Sequence, residues 1–171
     1  QFTPDLLPAD ITGTLIYDPV KGVYSTRTGP IFANLVLADE INRAPAKVQS
    51  ALLEVMQERQ VTIAGESHLV PKPFVVMATQ NPIETEGTYP LPEAQMDRFT
   101  MQCSLGYISA EEEASILTSQ NDGHPLDHLQ PSVSFDEIQE IINTVATIRV
   151  SDELKDYIVA LTSATREIED I

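Results

Sequence analysis

Apolar residues fall along this chain in two kinds of pattern. Residues 33–38 (Ala33-Asn34-Leu35-Val36-Leu37-Ala38) and 74–78 (Phe74-Val75-Val76-Met77-Ala78) form nearly continuous runs, each ending abruptly in polar residues. Runs this short, apolar on both alternations, predict strands buried on both faces of a parallel sheet. Over 45–59 the pattern changes: Val48, Ala51, Leu52, Val55 and Met56 recur three and four apart, which predicts a helix with one buried face. The same period runs through 109–119, 135–147 and 151–168. Residues 4–11 predict a short helix with Thr3 as cap, Pro4 at its first position and Gly13 as its stop. Two hairpins follow from β-rich runs flanking turn residues: 14–17 with 22–26, and 60–63 with 67–70 across Ala64-Gly65-Glu66. Residues 1–3 read as the end of a strand, 92–96 as a helical turn and 99–107 as a third strand.

The polar stretch 120–131, with a glycine and two prolines, marks a boundary. The plan is an α/β core over 1–120, a linker over 121–133 and an all-helical region from 134 to 171. A chain of 171 residues with 42% hydrophobic content can form a real core. Its 26 acidic and 10 basic residues leave a net charge of −16, which argues against nucleic acid, since phosphate backbones recruit clustered Lys and Arg. The acidic balance also repels an anionic membrane surface, and no run approaches the length of a membrane span. The lone Cys103 excludes an internal disulfide and suits a reducing compartment, with cytoplasm as the default. Its apolar neighbours Phe99, Met101 and Leu105 predict a small core residue. The acidic triplet Glu111-Glu112-Glu113 lies in the first turn of a helix capped by Ser109, where the macrodipole favours negative charge.

Candidate chemistry gathers where the two apolar runs end. If they are parallel neighbours, their carboxyl ends bring Asp39, Glu40, Gln80 and Asn81 to one rim, where open α/β sheets bind ligands. One carboxylate can hold Mg²⁺ through its waters, and a second can deprotonate an attacking water. An amide one strand away can hold that water or a γ-phosphate in line. A solvated acidic strand end fits the same residues. His124 and His128 invite a metal reading, but the intervening Pro125 argues against the shared helix face it needs. His68 reads as an edge residue of the second hairpin.

In order along the chain, 35–44 (Leu35-Val36-Leu37-Ala38-Asp39-Glu40-Ile41-Asn42-Arg43-Ala44) resembles the Walker B segment of AAA+ ATPases in the form seen in the MoxR family. Residues 74–82 (Phe74 through Gln80-Asn81-Pro82) resemble that family's sensor 1 strand, and 86–99 (Glu86 through Met96-Asp97-Arg98-Phe99) the stretch carrying its arginine finger. The resemblance implies a P-loop NTPase-like parallel sheet followed by a small all-α lid. It implies ATP as substrate, Asp39 for Mg²⁺, Glu40 as catalytic base and Asn81 as sensor 1. Arg98 would be the finger offered to a neighbouring subunit's nucleotide, against the plainer reading of a salt bridge with Asp97 or Glu93. Arg43 suits either an interface role or a helix-start salt bridge. The family also implies a hexameric ring that remodels client proteins, typically with von Willebrand factor A domains. The hairpins fit its helix-2 insert and pre-sensor-1 insert, or simple sheet extension.

The phosphate-binding loop, Gly-x-x-x-x-Gly-Lys-Ser/Thr, does not occur in these residues. The resemblance places it upstream of Gln1, on a strand lying between those that end near Asn81 and Tyr107. It likewise places the sensor 2 arginine beyond a helix like 157–166, and Arg166 does not match it. The expectation is therefore a piece of a MoxR-type ATPase, active when complete and assembled. Alternatives are an inert folding or interaction module, a nucleic-acid motor of the same insert clade, and a nucleotide-independent metal hydrolase using Asp39 and Glu40.

Overall fold

The computed structural model describes residues 1–81, 87–119 and 124–167. Pro82 and Glu86 of the family-like segments, the first residues of the 120–131 stretch and Ile168 lie outside them. The chain divides into two compact units, Gln1–Gly106 and Tyr107–Ile171, so the helix at 110–119 groups with the helical unit.

In the first unit, helix α1 (Pro8–Thr12) is shorter than the 4–11 helix expected. The reason is Pro8, which lacks the N–H that a helix begun at Pro4 would need there. It also holds Leu7 extended (φ −107°, ψ 153°), so the helix starts at Pro8, with Asp10 accepting the Leu7 N–H at 2.7 Å. Strands β1 (Gly13–Asp18) and β2 (Val23–Thr28) form the first hairpin, antiparallel from Gly13↔Thr28 to Asp18↔Val23. Its turn is set by Asp18, whose carboxylate accepts the N–H groups of Val20 and Lys21.

Strand β3 (Leu35–Ala38) runs parallel to β6 (Val75–Ala78), in register from Leu35↔Val75 to Ala38↔Ala78. Side chains alternate across this pair. Ala38 is fully buried, and Val36, Val76 and Ala78 pack on the core. Leu35, Leu37, Val75 and Met77 are each at least 50% exposed. The expectation of burial on both faces is therefore corrected: the core lies on one face, and no described residue covers the other.

Helix α2 (Ala46–Glu58) supplies that core, burying Val48, Leu52 and Val55 with Ile11, Ile41, Ala44 and with Val61 and Ile63 of the second hairpin. It ends at Arg59, left-handed at φ 57°, whose guanidinium stacks on Phe74 and donates to the Phe74 carbonyl at 2.7 Å. Strands β4 (Gln60–Ile63) and β5 (Glu66–Leu69) make the second hairpin. Its turn is tighter than expected: Ala64 and Gly65 carry positive φ and Glu66 already pairs with Ile63, the two-residue geometry that matches strand twist. Helix α3 (Glu93–Met96) is the short turn expected near 92–96.

The third strand does not form. Residues 101–109 carry no ladder, Leu105 is 95% exposed and Cys103 is exposed rather than part of the core. A strand exists only where a neighbour takes its N–H and C=O groups, and no described strand lies alongside.

The second unit contains α4 (Ala110–Ser119), a 3-10 turn (Pro125–His128), α5 (Phe135–Thr147) and α6 (Asp152–Ala164). Ser109 and Ser134 each exchange hydrogen bonds with the glutamate three residues on, closing capping boxes. The apolar stripes of α5 and α6, among them Ile141, Val145, Tyr157 and Leu161, are exposed.

Candidate functional site

The parallel ladder ends at Ala38 and Ala78, and beyond it the two segments remain hydrogen-bonded. Thr79 N–H donates to the Ala38 carbonyl at 3.1 Å, and Ile41 N–H donates to the Thr79 carbonyl at 3.0 Å. To make that return, Glu40 adopts left-handed backbone (φ 54°, ψ 50°), a conformation costing about 1–2 kcal/mol for a residue with a Cβ. One hydroxyl holds it there. Thr79 Oγ1 accepts the Glu40 backbone N–H at 2.8 Å and donates to Asp39 Oδ1 at 2.7 Å. The Asp39 carbonyl accepts the Phe2 N–H at 2.8 Å, so residues 1–3 lie beside the end of β3. They form no assigned strand, although Phe2 is buried.

The Glu40 carboxylate is surrounded by donors. Gln1 Nε2 reaches Oε2 at 2.9 Å and Arg43 Nη1 reaches the same oxygen at 3.0 Å. The Asn81 side chain also hydrogen-bonds the carboxylate. These donors hold its pKa below the usual carboxylate range, Gln1 contributing most and Arg43 next, against a smaller opposing effect of burial. Asp39, Glu40 and Asn81 thus come together at the rim of the parallel pair, while Gln80 is exposed. Thr79 and Gln1 were not singled out from the sequence as site residues. A hydroxyl one position past an apolar strand was the available signal for Thr79; nothing in the sequence marked Gln1. Arg43 resolves toward Glu40, three residues earlier, in the 3-10 turn Ile41–Arg43.

Below the carboxylates the loop is pinned from inside. Gln49, 1% exposed, donates through Nε2 to the carbonyls of Tyr89 (2.8 Å), Ile41 (3.2 Å) and Ala44 (3.2 Å). The Tyr89 N–H donates to the Asn42 carbonyl at 2.6 Å, and Asn42 Nδ2 to the Asn81 carbonyl at 3.4 Å.

Arg98 is not brought to the carboxylates by any hydrogen bond. It follows α3, is exposed, and lines an open cleft of about 270 Å³ with Gln95 and the α2 residues Ser50, Leu53, Glu54 and Gln57. Among the described residues it has no ion pair within 4.0 Å, so the salt bridge to Asp97 or Glu93 does not form.

Among the described residues no group of three His, Cys, Asp or Glu side chains gathers as a metal cage. His124 caps the 3-10 turn instead, its Nδ1 accepting the Leu126 N–H at 3.3 Å. No helix among the described residues is long and apolar enough to cross a membrane.

Residues 1–101 match the AAA_3 family, the ATPase family associated with various cellular activities. The chain is 51% identical over 171 residues to the chaperone MoxR1 of Mycobacterium tuberculosis, covering all of this chain and 45% of that protein. It is 48% identical over 167 residues to the YeaC protein of Bacillus subtilis, covering 98% of this chain and 52% of that one. A crystal structure from Cytophaga hutchinsonii superposes with a TM-score of 0.83 at 50% identity, over 96% of this chain and 50% of the other. The chain thus spans about half the length of the relatives it matches.

Proposed function

Since this chain belongs to the AAA_3 family of ATPases, in its MoxR-type branch, we propose that it supplies the water-activating half of an ATP-hydrolysing site. The observation that carries this is the arrangement at the rim of β3 and β6: the Thr79 hydroxyl holds the Asp39 carboxylate and the Glu40 backbone N–H, with Asn81 on the Glu40 carboxylate. Glu40 is the base that takes the proton from the attacking water. Asn81, hydrogen-bonded to Glu40 in the resting arrangement, senses the γ-phosphate. Asp39 would hold Mg²⁺ through water, and the ion would offset charge on the phosphates. Gln1 and Arg43 both donate to Oε2, and a carboxylate keeps further lone pairs with which to take a proton from water.

Arg98 belongs to a different half-site. Exposed, without an ion pair among the described residues and not hydrogen-bonded to Asp39 or Glu40, it is available to a neighbouring subunit's nucleotide. There a guanidinium stabilises charge on the transferring phosphoryl, an effect worth about 10³–10⁵ in rate where measured. The whole protein then works as a ring, hexameric by its likeness to the family. MoxR1 is a chaperone by name. The corresponding role here is ATP-driven remodelling of client complexes, with von Willebrand factor A proteins as the partner class.

The test is hydrolysis by the whole protein with Mg-ATP. Glu40→Gln is expected to bind ATP and turn it over at least about 10²-fold more slowly. Arg98→Ala is expected to be comparably slow alone. Mixing the two variants restores part of the activity, because Glu40 and Arg98 at one site come from different subunits. Wild-type turnover by Glu40→Gln, or no restoration on mixing, overturns the reading.

A further inference from the structure

The buried side chain of Gln49 has no place in the chemistry just described, yet it makes three hydrogen bonds. Two go to the loop that follows Glu40, at the Ile41 and Ala44 carbonyls. The third and shortest goes to Tyr89, on the segment that leads through buried Leu91 into α3 and Arg98. The Tyr89 N–H in turn donates to the Asn42 carbonyl, so the Arg98 arm and the Glu40 loop are bonded directly as well as through the amide.

We propose that Gln49 is a positioning residue that couples Glu40 to Arg98, tying the base used within one subunit to the finger offered to the next. This rests on the roles assigned to those two residues above. The physical argument is one of rigidity and of buried polar groups. Gln49 sits in the second turn of α2, and Ser50, Leu53, Glu54 and Gln57 continue from it along the helix to the Arg98 cleft. One helix therefore touches the Glu40 loop with its first turns and the Arg98 arm with its length. A primary amide has two N–H donors, and here three backbone carbonyls share them, two in buried bonds and Tyr89 in a part-buried one. If the loop shifts when Glu40 leaves its resting donors, the Ile41 and Ala44 carbonyls move against that amide. Tyr89 must follow, or the shortest of the three bonds, which is part-buried, is lost. The displacement is thereby passed toward Arg98. An apolar residue at 49 fills the same space and transmits nothing.

The experiment is a double-mutant cycle on turnover by the whole assembled protein, with Gln49→Met and Arg98→Ala singly and together. Gln49→Met is expected to lower kcat about tenfold with KM for ATP within about twofold, the mark of lost positioning rather than lost binding. The double variant is expected to be no slower than Arg98→Ala by more than about twofold, because a residue that acts through Arg98 has nothing left to act on. Reductions that multiply in the double variant, or a wild-type kcat in Gln49→Met, overturn the coupling. Wild-type turnover in Arg98→Ala alone overturns the finger assignment itself, and the coupling falls with it. If Gln49→Met does not accumulate as folded protein, Gln49→Asn keeps the amide, shortens its reach and carries the same cycle with the same outcomes.

Discussion

The hydroxyl of Thr79 donates to the carboxylate of Asp39 at 2.7 Å, forty residues away in the chain, and accepts the backbone N–H of Glu40 at 2.8 Å. A single side chain at the end of one strand thus holds the carboxylate of Asp39 and the backbone turn that carries Glu40 at the end of the other. Without it the left-handed turn at Glu40 leaves a backbone donor unpaired.

That relationship predicts the behaviour of Thr79→Val, which keeps the shape and loses the hydroxyl. Turnover by the whole protein is expected to fall about tenfold, equivalent to about 1.4 kcal/mol of transition-state stabilisation. The Mg²⁺ concentration for half-maximal activity is expected to rise, because Asp39 loses its orienting donor. Thr79→Ser, which keeps the hydroxyl, is expected to recover most of both. A Mg²⁺ titration of hydrolysis rates checks the order.

Glu40 predicts a pH dependence. Its folded pKa lies below the usual carboxylate value, Gln1 first and Arg43 second among the causes. A base must be ionised, so activity falls as pH drops through that lowered value and the acid limb lies below the usual carboxylate range. The stability that its ionised form gains from these donors follows the same sign. It is present above the ordinary value and lost as pH falls through the folded one. Gln1→Ala or Arg43→Ala is expected to move the acid limb of kcat/KM to higher pH. A limb that stays in place would separate Glu40 from the base.

Two glycines with positive φ should differ sharply on substitution. A Cβ on Gly13 would lie 2.3 Å from the Arg27 carbonyl oxygen and 2.7 Å from the Gly29 nitrogen. Its backbone (φ 101°, ψ 175°) falls in a region that essentially only glycine occupies, at about 1–3 kcal/mol for any other residue. Gly22 also has positive φ but faces open space. Gly13→Ala is therefore expected to destabilise by about 3 kcal/mol or more once the clash is added, and Gly22→Ala by about 1–2. Chemical denaturation of the two variants side by side measures the gap.

In the helical unit, Ser134→Ala removes both the hydroxyl that accepts the Glu137 N–H and the hydroxyl donor to its carboxylate. Loss of such a cap costs about 1 kcal/mol. Faster amide exchange over the first turn of α5 is the expected signature, with α6, separately capped by Ser151, unchanged.

Much of this architecture was legible in the residues. The parallel pairing of β3 with β6 followed from two apolar runs separated by a helix. The hairpins and α2, α3 and α5 followed from period and turn chemistry, because these are local properties of a few neighbouring residues. Adjacency at the rim followed too, since pairing two strands brings Asp39, Glu40 and Asn81 near one another. Other features depended on what else was present. Residues 99–107 have strand composition but no ladder, because a strand needs a partner and composition does not supply one. Cys103 is exposed for the same reason. The outer face of β3 and β6 is apolar and uncovered, because alternation buries only the side that α2 packs against.

By itself, the sequence determined the local elements, the strand ends that carry acidic and amide groups, and the order of its family-like motifs. Only the tertiary structure decided how those groups are held. Thr79 joins Asp39 to Glu40, Gln1 and Arg43 share one carboxylate oxygen, Gln49 pins the loop beneath, and Arg98 lies elsewhere. The Thr79, Gln1 and Gln49–Tyr89 contacts each join residues 39 or 40 positions apart within a few ångströms. Such contacts are fixed by packing of the whole unit, and no short window of sequence contains them.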